Sequence, residues 1–174
     1  MASDGLLGLI IDDSALLVQM SVIKGVMQVL SETGYPAAWL ELELTESALM
    51  RREAEAVTIL ERLRGLGLRL AMDDFGTGYS SLAYLKRFPL DVLKIDKSFV
   101  DDIPHHRDDM EIAATIIAMS HTLNLKVLAE GVETAEQLAF LQLKGCNQYQ
   151  GYLTSPPLPT EDFVALLTKM EAGR

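Results

Sequence analysis

Residues 68–82 read Leu68-Arg69-Leu70-Ala71-Met72-Asp73-Asp74-Phe75-Gly76-Thr77-Gly78-Tyr79-Ser80-Ser81-Leu82. The apolar run predicts a buried strand, which two adjacent acids and a glycine-containing loop follow. Adjacent carboxylates repel each other, and placing them beside apolar residues is costly unless cations or hydrogen bonds compensate. This pattern favours a divalent-metal site. A strand that ends in a solvated acidic turn is the alternative for the two acids taken alone.

On both sides of this stretch, short apolar runs alternate with longer runs of helical period, which is typical of βαβ units and a parallel sheet. The predicted strands are Gly8 to Asp12, Leu40 to Thr45, Leu68 to Asp73, Val92 to Asp96, Lys126 to Glu130 and Gln148 to Leu153. The predicted helices are Leu16 to Ser31, Glu53 to Leu66, Asp108 to Leu123, one that begins after Thr134 and one that begins at Thr160. Thr134 and Gln137 have the spacing of a capping box.

The composition predicts one domain, because 174 residues with 49% hydrophobic content describe a single globular unit. The formal net charge of -10 disfavours DNA binding, since phosphate contacts require clustered cations. Cys146 is the only cysteine, so no disulfide within the chain is possible. No apolar run is long enough for a membrane span, and the N-terminus lacks the pattern of a signal peptide. A cytoplasmic location is the resulting expectation.

Charged side chains occur near the C-terminal ends of several predicted strands. Glu41 and Glu43 alternate with leucines, so the acids share one face of their strand. Asp73, Lys94 and Glu130 occupy similar positions on three later strands. For one of these residues alone, such as Glu41, a solvated charge at the edge of a strand is expected. The agreement among these strands predicts that their ends converge on one cavity, since parallel α/β proteins build sites there.

Five motifs then occur in order along the chain, and together they resemble the EAL domain. They are Glu43-Leu44-Thr45-Glu46-Ser47, the run that begins at Asp73, Lys94-Ile95-Asp96-Lys97-Ser98-Phe99-Val100, Ala129-Glu130-Gly131-Val132-Glu133-Thr134 and Gln150-Gly151-Tyr152. This family comprises bacterial cyclic-di-GMP phosphodiesterases and their degenerate relatives, and the similarity covers roughly Leu9 to Leu167. The resemblance implies a parallel (β/α) barrel of the TIM type that hydrolyses cyclic di-GMP to linear pGpG.

The resemblance also implies a role for individual residues and a site for two Mg2+ or Mn2+ ions. Glu43 and Asp73 would be metal ligands, with Asp73 bridging both ions. Asp74 would bind the second ion, and Glu130 would lie in that ion's shell. Lys94 would orient the attacking water. Hard carboxylate oxygens suit these metals, which supply a nucleophile at neutral pH and stabilise charge on phosphoryl oxygens.

Two further residues take supporting roles under the same resemblance. Gln150 would help to hold the site and the region near the guanine, and Glu46 would brace the loop from Phe75 to Ser81. That loop also tends to form the dimer contact of the family. Outside the family context, Lys94 has a simpler interpretation, which is a salt bridge to either of the two adjacent acids.

The chain departs from the family pattern at its N-terminal end. The Glu-Ala-Leu tripeptide is absent, and the chain begins near the third strand of the family, so about six of the eight strands of a TIM-type barrel are present. The nearest counterparts of an asparagine ligand are Asp12 and Gln19, and Asp12 is preferred because its register needs a smaller gap. The chain is therefore interpreted as a single partial EAL domain, N-terminally truncated. Because an incomplete barrel leaves sheet edges open, we expect a homodimer, other self-association or a fragment of a longer chain.

Three functions stand at this point. The first is a metal-dependent phosphodiesterase, and the second is a catalytically impaired sensor that binds cyclic di-GMP without turnover. The third is a protein-interaction module that uses the loop from Gly76 to Leu82. The family function is favoured, whereas activity of this chain by itself is left open, because usual metal ligands at the N-terminal end are missing.

Overall fold

One parallel six-stranded sheet with helices forms the fold, in a computed structural model that describes residues 7–11, 19–50, 53–76 and 82–172. The strands are β1 (Leu7–Ile11), β2 (Leu40–Thr45), β3 (Arg69–Phe75), β4 (Val92–Ile95), β5 (Lys126–Ala129) and β6 (Gln148–Tyr149). The helices are α1 (Gln19–Thr33), α2 (Glu46–Met50), α3 (Glu53–Gly65), α4 (Leu82–Leu85), α5 (Arg107–Thr122), α6 (Ala135–Lys144) and α7 (Thr160–Ala172). Among these helices, none combines the length and the apolar character needed to cross a membrane.

The strands lie side by side in chain order, and each is parallel to the next. Leu42 pairs with Leu70, and Leu93 pairs with Val127, so the β-branched and leucine-rich runs lie in register. Consecutive parallel strands joined by helices form the wall of a (β/α) barrel. The predicted fold class is confirmed. Within the described residues, β1 and β6 are the two edges of the sheet.

Period-two alternation divides the strand side chains between two faces. One face is apolar and has no solvent exposure at Leu42, Leu44, Leu70, Met72, Leu93 and Ile95. It packs in one cluster with residues of α3 and α5, among them Leu60, Leu63 and Ile117. Successive side chains point to opposite faces of a sheet, so the charged residues between these positions lie on the other face. The core therefore fixes where the polar side chains must go.

Strand and helix positions agree with the sequence-based prediction except at particular ends. β3 continues to Phe75, with a register irregularity after Met72. The predicted strand from 148 to 153 begins where expected, but its predicted end is wrong, because β6 ends at Tyr149. There the chain turns instead: Val132 N–H donates to Gln150 O at 3.0 Å, and Leu153 N–H donates to Val132 O at 3.0 Å. The short helices α2 and α4 were not predicted, since a helix of about one turn is too short to show a helical repeat of apolar residues.

The predicted capping box at the start of α6 is confirmed. Thr134 Oγ1 accepts a hydrogen bond from Gln137 N–H at 3.1 Å, and Gln137 Oε1 accepts one from Thr134 N–H at 2.9 Å. The Gln137 side chain is buried, and its Nε2 donates to Val100 O at 3.1 Å. The cap thus also ties α6 to the connection that follows β4.

Replacing Thr134 by alanine is expected to lower the free energy of unfolding by about 1 kcal/mol, because one helical N–H loses its acceptor. Urea denaturation of both proteins measures this difference. Thr134→Ser keeps the oxygen and is the control, so it should retain nearly all of the stability. Equal losses in the two variants would contradict this role of the hydroxyl.

Candidate active site

Polar side chains from five neighbouring chain segments meet at the C-terminal ends of the strands. Glu43 lies on β2, Asp73 on β3 and Lys94 on β4. Glu130 follows β5, and Gln150 follows β6. The contacts described below join all five of them, so the structure brings these predicted site residues together at one end of the sheet.

Lys94 is at the centre of this group, and its side chain is 2% exposed. Its ammonium donates to Glu43 Oε2 at 2.6 Å, and lies 2.9 Å from Asp73 Oδ1 and 2.8 Å from Glu130 Oε1. Burial lowers the pKa of Lys94, but hydrogen bonds to the Glu130, Glu43 and Asp73 carboxylates outweigh burial and raise that pKa above its ordinary value. Lys94 is therefore a permanent cation in the structure.

Three carboxylates near Lys94 can point oxygens at one position. Asp73, Asp74 and Glu130 each offer an oxygen, and these oxygens lie within 4.8 Å of one another. Asp74 has a positive φ of 55°, which turns it out of the regular strand beside Asp73. Burial is the main cause that raises the pKa of both Glu130 and Asp74, and neighbouring carboxylates add to it.

The donor set fits a divalent metal ion. Three carboxylates contact the ammonium of Lys94, and Asp74 lies close to two of them, so the group carries an excess of negative charge. A second cation would relieve this repulsion. Carboxylate oxygens are the ligands that Mg2+ and Mn2+ prefer, and soft sulfur donors do not belong to the ligands that these metals prefer.

Glu46 joins the start of α2 to the end of β3. Its Oε2 accepts a hydrogen bond from Gly76 N–H at 3.1 Å, and its other oxygen, Oε1, is buried without a hydrogen bond in the described part of the chain. Gly76 has φ 100°, and a Cβ there would lie 2.8 Å from Phe99 Cε2. Residues 77–81 lie outside the described residues, so the contact reaches only the first residues of the predicted loop.

Gln150 contacts the site through Glu130. Its Nε2 donates to Glu130 Oε1 at 2.8 Å, the same oxygen that lies beside Lys94. Its backbone N–H donates to Ala129 O at 2.9 Å, which fixes the residue next to the end of β5. Gln150 therefore orients Glu130 and leaves its own amide oxygen available on an exposed side chain.

Two charged residues in this region were not assigned a role from the sequence. Lys97 Nζ lies 2.7 Å from Glu133 Oε1, and its aliphatic chain lies directly over Gly131. A Cβ at Gly131 would come within 2.4 Å of Lys97 Cγ. This pair holds the turn that follows Glu130. Opposite charges in two adjacent motifs were the available signal, but nothing in one sequence shows that the two loops touch.

The expectation of a solvated charge at Glu41 is wrong. Glu41 is 4% exposed, and its Oε2 lies 3.4 Å from Arg69 Nε on the paired strand. Burial is the main cause that raises the pKa of the Glu41 carboxyl. Glu41 lies two residues before Glu43 and on the same face of β2, because strand neighbours at i and i+2 share a face. Asp12, the preferred counterpart of the asparagine ligand of the family, lies outside the described residues, and its role stays a prediction.

This arrangement of site and sheet belongs to a known class of domain. The sequence model of the EAL domain matches residues 6–157, which is most of the chain. The chain therefore belongs to the EAL domain family. The family resemblance predicted from the motifs is confirmed.

Curated relatives show the same relationship. The chain is 57% identical over 143 residues to cyclic di-GMP phosphodiesterase NbdA of Pseudomonas aeruginosa. This match covers 82% of the chain and 18% of NbdA. It is also 50% identical over 126 residues to the bifunctional diguanylate cyclase/cyclic di-GMP phosphodiesterase MucR of the same organism, covering 72% of the chain and 18% of MucR. The chain thus spans about a fifth of the length of these relatives.

Solved structures agree with the fold. The MucR phosphodiesterase in complex with cyclic di-GMP superimposes with a TM-score of 0.85 at 40% identity, covering 91% of this chain and 64% of that one. A manganese and cyclic-di-GMP complex of BlrP1 from Klebsiella pneumoniae gives a TM-score of 0.81 at 32% identity, covering 89% of this chain and 40% of that one. Structures of BlrP1 thus hold manganese or calcium together with cyclic di-GMP.

Proposed function

We propose that this chain is a metal-dependent phosphodiesterase domain that hydrolyses cyclic di-GMP to linear pGpG in bacterial second-messenger signalling. The observation that carries the proposal is Lys94, buried among carboxylates from three other strand ends in a member of the EAL domain family. The names of NbdA and MucR and the nucleotide bound to MucR support the same substrate. Phosphodiester hydrolysis needs an activated water and a site that tolerates phosphoryl charge, and these groups can provide both.

We assign the metal ligands to Asp73, Asp74 and Glu130, and to Glu43, whose carboxylate contacts the ammonium of Lys94 as those of Asp73 and Glu130 do. The donor chemistry supports Mg2+ or Mn2+ in a two-metal site, and the manganese complex of BlrP1 is consistent with this choice. When bound, paired metals lower the pKa of a coordinated water and stabilise charge on the phosphoryl oxygens. The excess negative charge of the cluster is what makes it selective for cations.

The remaining assignments concern residues that position groups. Lys94 would orient the attacking water. Its three N–H donors face Glu43, Asp73 and Glu130, so one of them would exchange a carboxylate oxygen for that water. Gln150 would hold Glu130 in place and face the region near the guanine. Glu46 would brace the backbone that follows β3 through its bond to Gly76 N–H.

Incubation of the purified chain with cyclic di-GMP and Mn2+ or Mg2+ tests the proposal, with the linear product followed by chromatography. Asp73→Ala is expected to reduce product formation by about 10²-fold or more, because it removes an oxygen donor from the centre of the cluster. Asp108→Ala removes an exposed acid at the start of α5 and is the matched control, so it should leave turnover unchanged.

Each outcome of this assay has a defined meaning. Product that depends on Asp73 and not on Asp108 supports hydrolysis at the described site. A folded chain that binds cyclic di-GMP in the presence of metal but forms no linear product would contradict hydrolysis, and it would favour the sensor instead. A folded chain that neither binds nor cleaves the nucleotide would contradict both of these functions, and the protein-interaction module would be the remaining candidate.

We also propose that the chain self-associates as a homodimer. The sheet of the described residues has two unpaired edges, and α7 exposes apolar side chains at Phe163 (50%), Val164 (55%) and Leu167 (38%). Exposed apolar side chains clustered on one helix are typical of an interaction surface. Their burial in a second copy would remove this surface from water.

Sedimentation equilibrium measures this association. The unaltered chain is expected to sediment as a dimer, whereas the double variant F163D/V164D should sediment as a monomer because it places two charges on the contact helix. A variant with two changes on an exposed polar part of the same helix, E161A/D162A, is the control and should remain dimeric. An unaltered chain that is a compact monomer at every concentration would contradict the proposal.

A further inference from the structure

A cavity lies at the opposite end of the sheet from the candidate active site. Its volume is about 820 Å³, and it is open to solvent. Its walls come from three successive connections that lead into strands: residues 64–69 before β3, residues 85–91 before β4 and residues 122–125 before β5. The N-terminal ends of three neighbouring strands therefore form its floor. Small-molecule sites range from about 300 to 1,000 Å³, so this cavity has the size of a ligand site.

The walls of this cavity are basic although the chain is acidic. Arg64, Arg69 and Lys86 line it, and Asp91 is the acidic residue among its lining residues. The chain as a whole carries 25 acids against 15 lysines and arginines. Part of the hydrogen-bonding capacity of Asp91 is already used, because its Oδ2 accepts a hydrogen bond from Leu70 N–H at 2.9 Å. The cavity thus gathers three cations and one acid in a chain whose net charge is negative.

The three cations differ in how much of their charge is already compensated. Arg69 is 27% exposed, and its Nε lies 3.4 Å from Glu41 Oε2. Arg64 and Lys86 are exposed, and neither forms an ion pair with any residue in the described ranges. Asn124, whose φ is +59°, adds a side-chain amide to the same wall. Two cations that have no ion pair within the described part of the chain and one partly engaged guanidinium therefore line one space.

Phosphate oxygens are the groups that such a wall recognises. A guanidinium donates two parallel N–H bonds to a phosphate, and a lysine ammonium adds a compact charge. The apolar lining residues Phe88 and Leu123 give the cavity a surface that a purely hydrated ion would not need. This combination suits a phosphate attached to a larger organic group.

The cavity is separate from the cluster around Lys94. Arg69 precedes Asp73 by four residues on β3, and four residues of strand span about 13 Å. The carboxylates at the other end of the sheet repel an anion in the absence of metal, whereas the basic cavity attracts one. Binding at the two places can therefore be measured independently.

We infer that the cavity lined by Arg64, Arg69 and Lys86 binds a phosphate-bearing small molecule or headgroup. This inference does not depend on the proposed hydrolysis, because it concerns the opposite end of the sheet. A soluble phosphate compound and an anionic lipid headgroup share the required chemistry, and the experiment separates the two sources.

Inorganic pyrophosphate is the soluble probe, added to the chain in buffer that contains a metal chelator. Titration calorimetry gives the affinity, and the shifts of backbone amide signals give the location. Saturable binding is expected, with shifts confined to residues 64–69, 85–91 and 122–125. The double variant R64A/K86A should weaken binding about tenfold or more, since it removes two charge-assisted contacts.

The control variant K24A/R107A removes the same charge at exposed positions in the first halves of α1 and α5, away from the cavity. It should bind pyrophosphate as the unaltered chain does. A parallel arm measures co-sedimentation with phosphatidylcholine vesicles that contain phosphatidylglycerol. Binding to vesicles alone, lost in R64A/K86A and kept in the control, would assign the site to a lipid headgroup. No saturable binding in either arm, or equal loss in both variants, would overturn the inference.

Discussion

Replacing Lys94 by methionine is expected to abolish hydrolysis and to make the stability of the chain depend on divalent metal. The ammonium of Lys94 lies between 2.6 and 2.9 Å from the carboxylates of Glu43, Asp73 and Glu130. Methionine is of similar length but carries no charge, so the three carboxylates would face one another without a cation. Metal ions added to the variant would take over this compensation.

The expected magnitudes follow from the burial of the site. Removing one preorganised donor from the reaction centre lowers turnover by about 10²- to 10³-fold. Lys94 is 2% exposed, so its loss in metal-free buffer costs roughly 3–5 kcal/mol of unfolding free energy, as for other buried pairs that lose one partner. Added Mn2+ should recover most of this stability while turnover stays low.

Thermal denaturation with and without Mn2+, together with the product assay, measures both effects. Lys97→Met is the matched control, because Lys97 is also a lysine beside the site but is half exposed and pairs with Glu133. Its stability should change little and should not respond to Mn2+ more than that of the unaltered chain. A K94M variant that is as stable as the unaltered chain in metal-free buffer would refute the compensating role of Lys94.

Replacing Gly151 by alanine is expected to lower the free energy of unfolding by roughly 3 kcal/mol or more. Gly151 has φ 154°, and a Cβ there would lie 2.2 Å from Val132 O and 2.3 Å from Val132 N. These are backbone atoms, so no side-chain rotation can relieve the overlap. Strain in this region costs about 1–3 kcal/mol, and forced displacement of packed backbone adds a similar amount.

The displaced segment includes Gln150, so this substitution should also affect the site. Gln150 O accepts from Val132 N–H at 3.0 Å, and its side chain holds Glu130. Urea denaturation and the product assay should therefore both report a loss. Gly25→Ala is the control: nothing lies within 4 Å of a Cβ there, and alanine in the interior of α1 should stabilise the chain by about 0.5–1 kcal/mol. Equal stability of G151A and the unaltered chain would contradict the close approach.

Local patterns in the sequence were sufficient for most of the fold. β2 has the predicted bounds Leu40–Thr45, because the alternation of leucine with glutamate gives a period of two that the sequence shows directly. The start of α6 could be predicted from Thr134 and Gln137, since a capping box involves residues only three apart. The end of β6 could not be predicted, because the turn at Gly151 depends on hydrogen bonds to Val132, which is distant in sequence.

The same distinction applies to the candidate site. The amino-acid types and their order along the chain identified the EAL domain and which carboxylates, lysine and glutamine to expect, since motifs are local. The contacts among them required the sheet: Glu43 and Lys94 are 51 residues apart and meet because β2, β3 and β4 are parallel and adjacent. Burial of Glu41 against Arg69 and the basic cavity beneath the sheet arise in the same way. Alternation along a strand assigns a side chain to a face, but strand order and register establish which side chains of other strands it meets there.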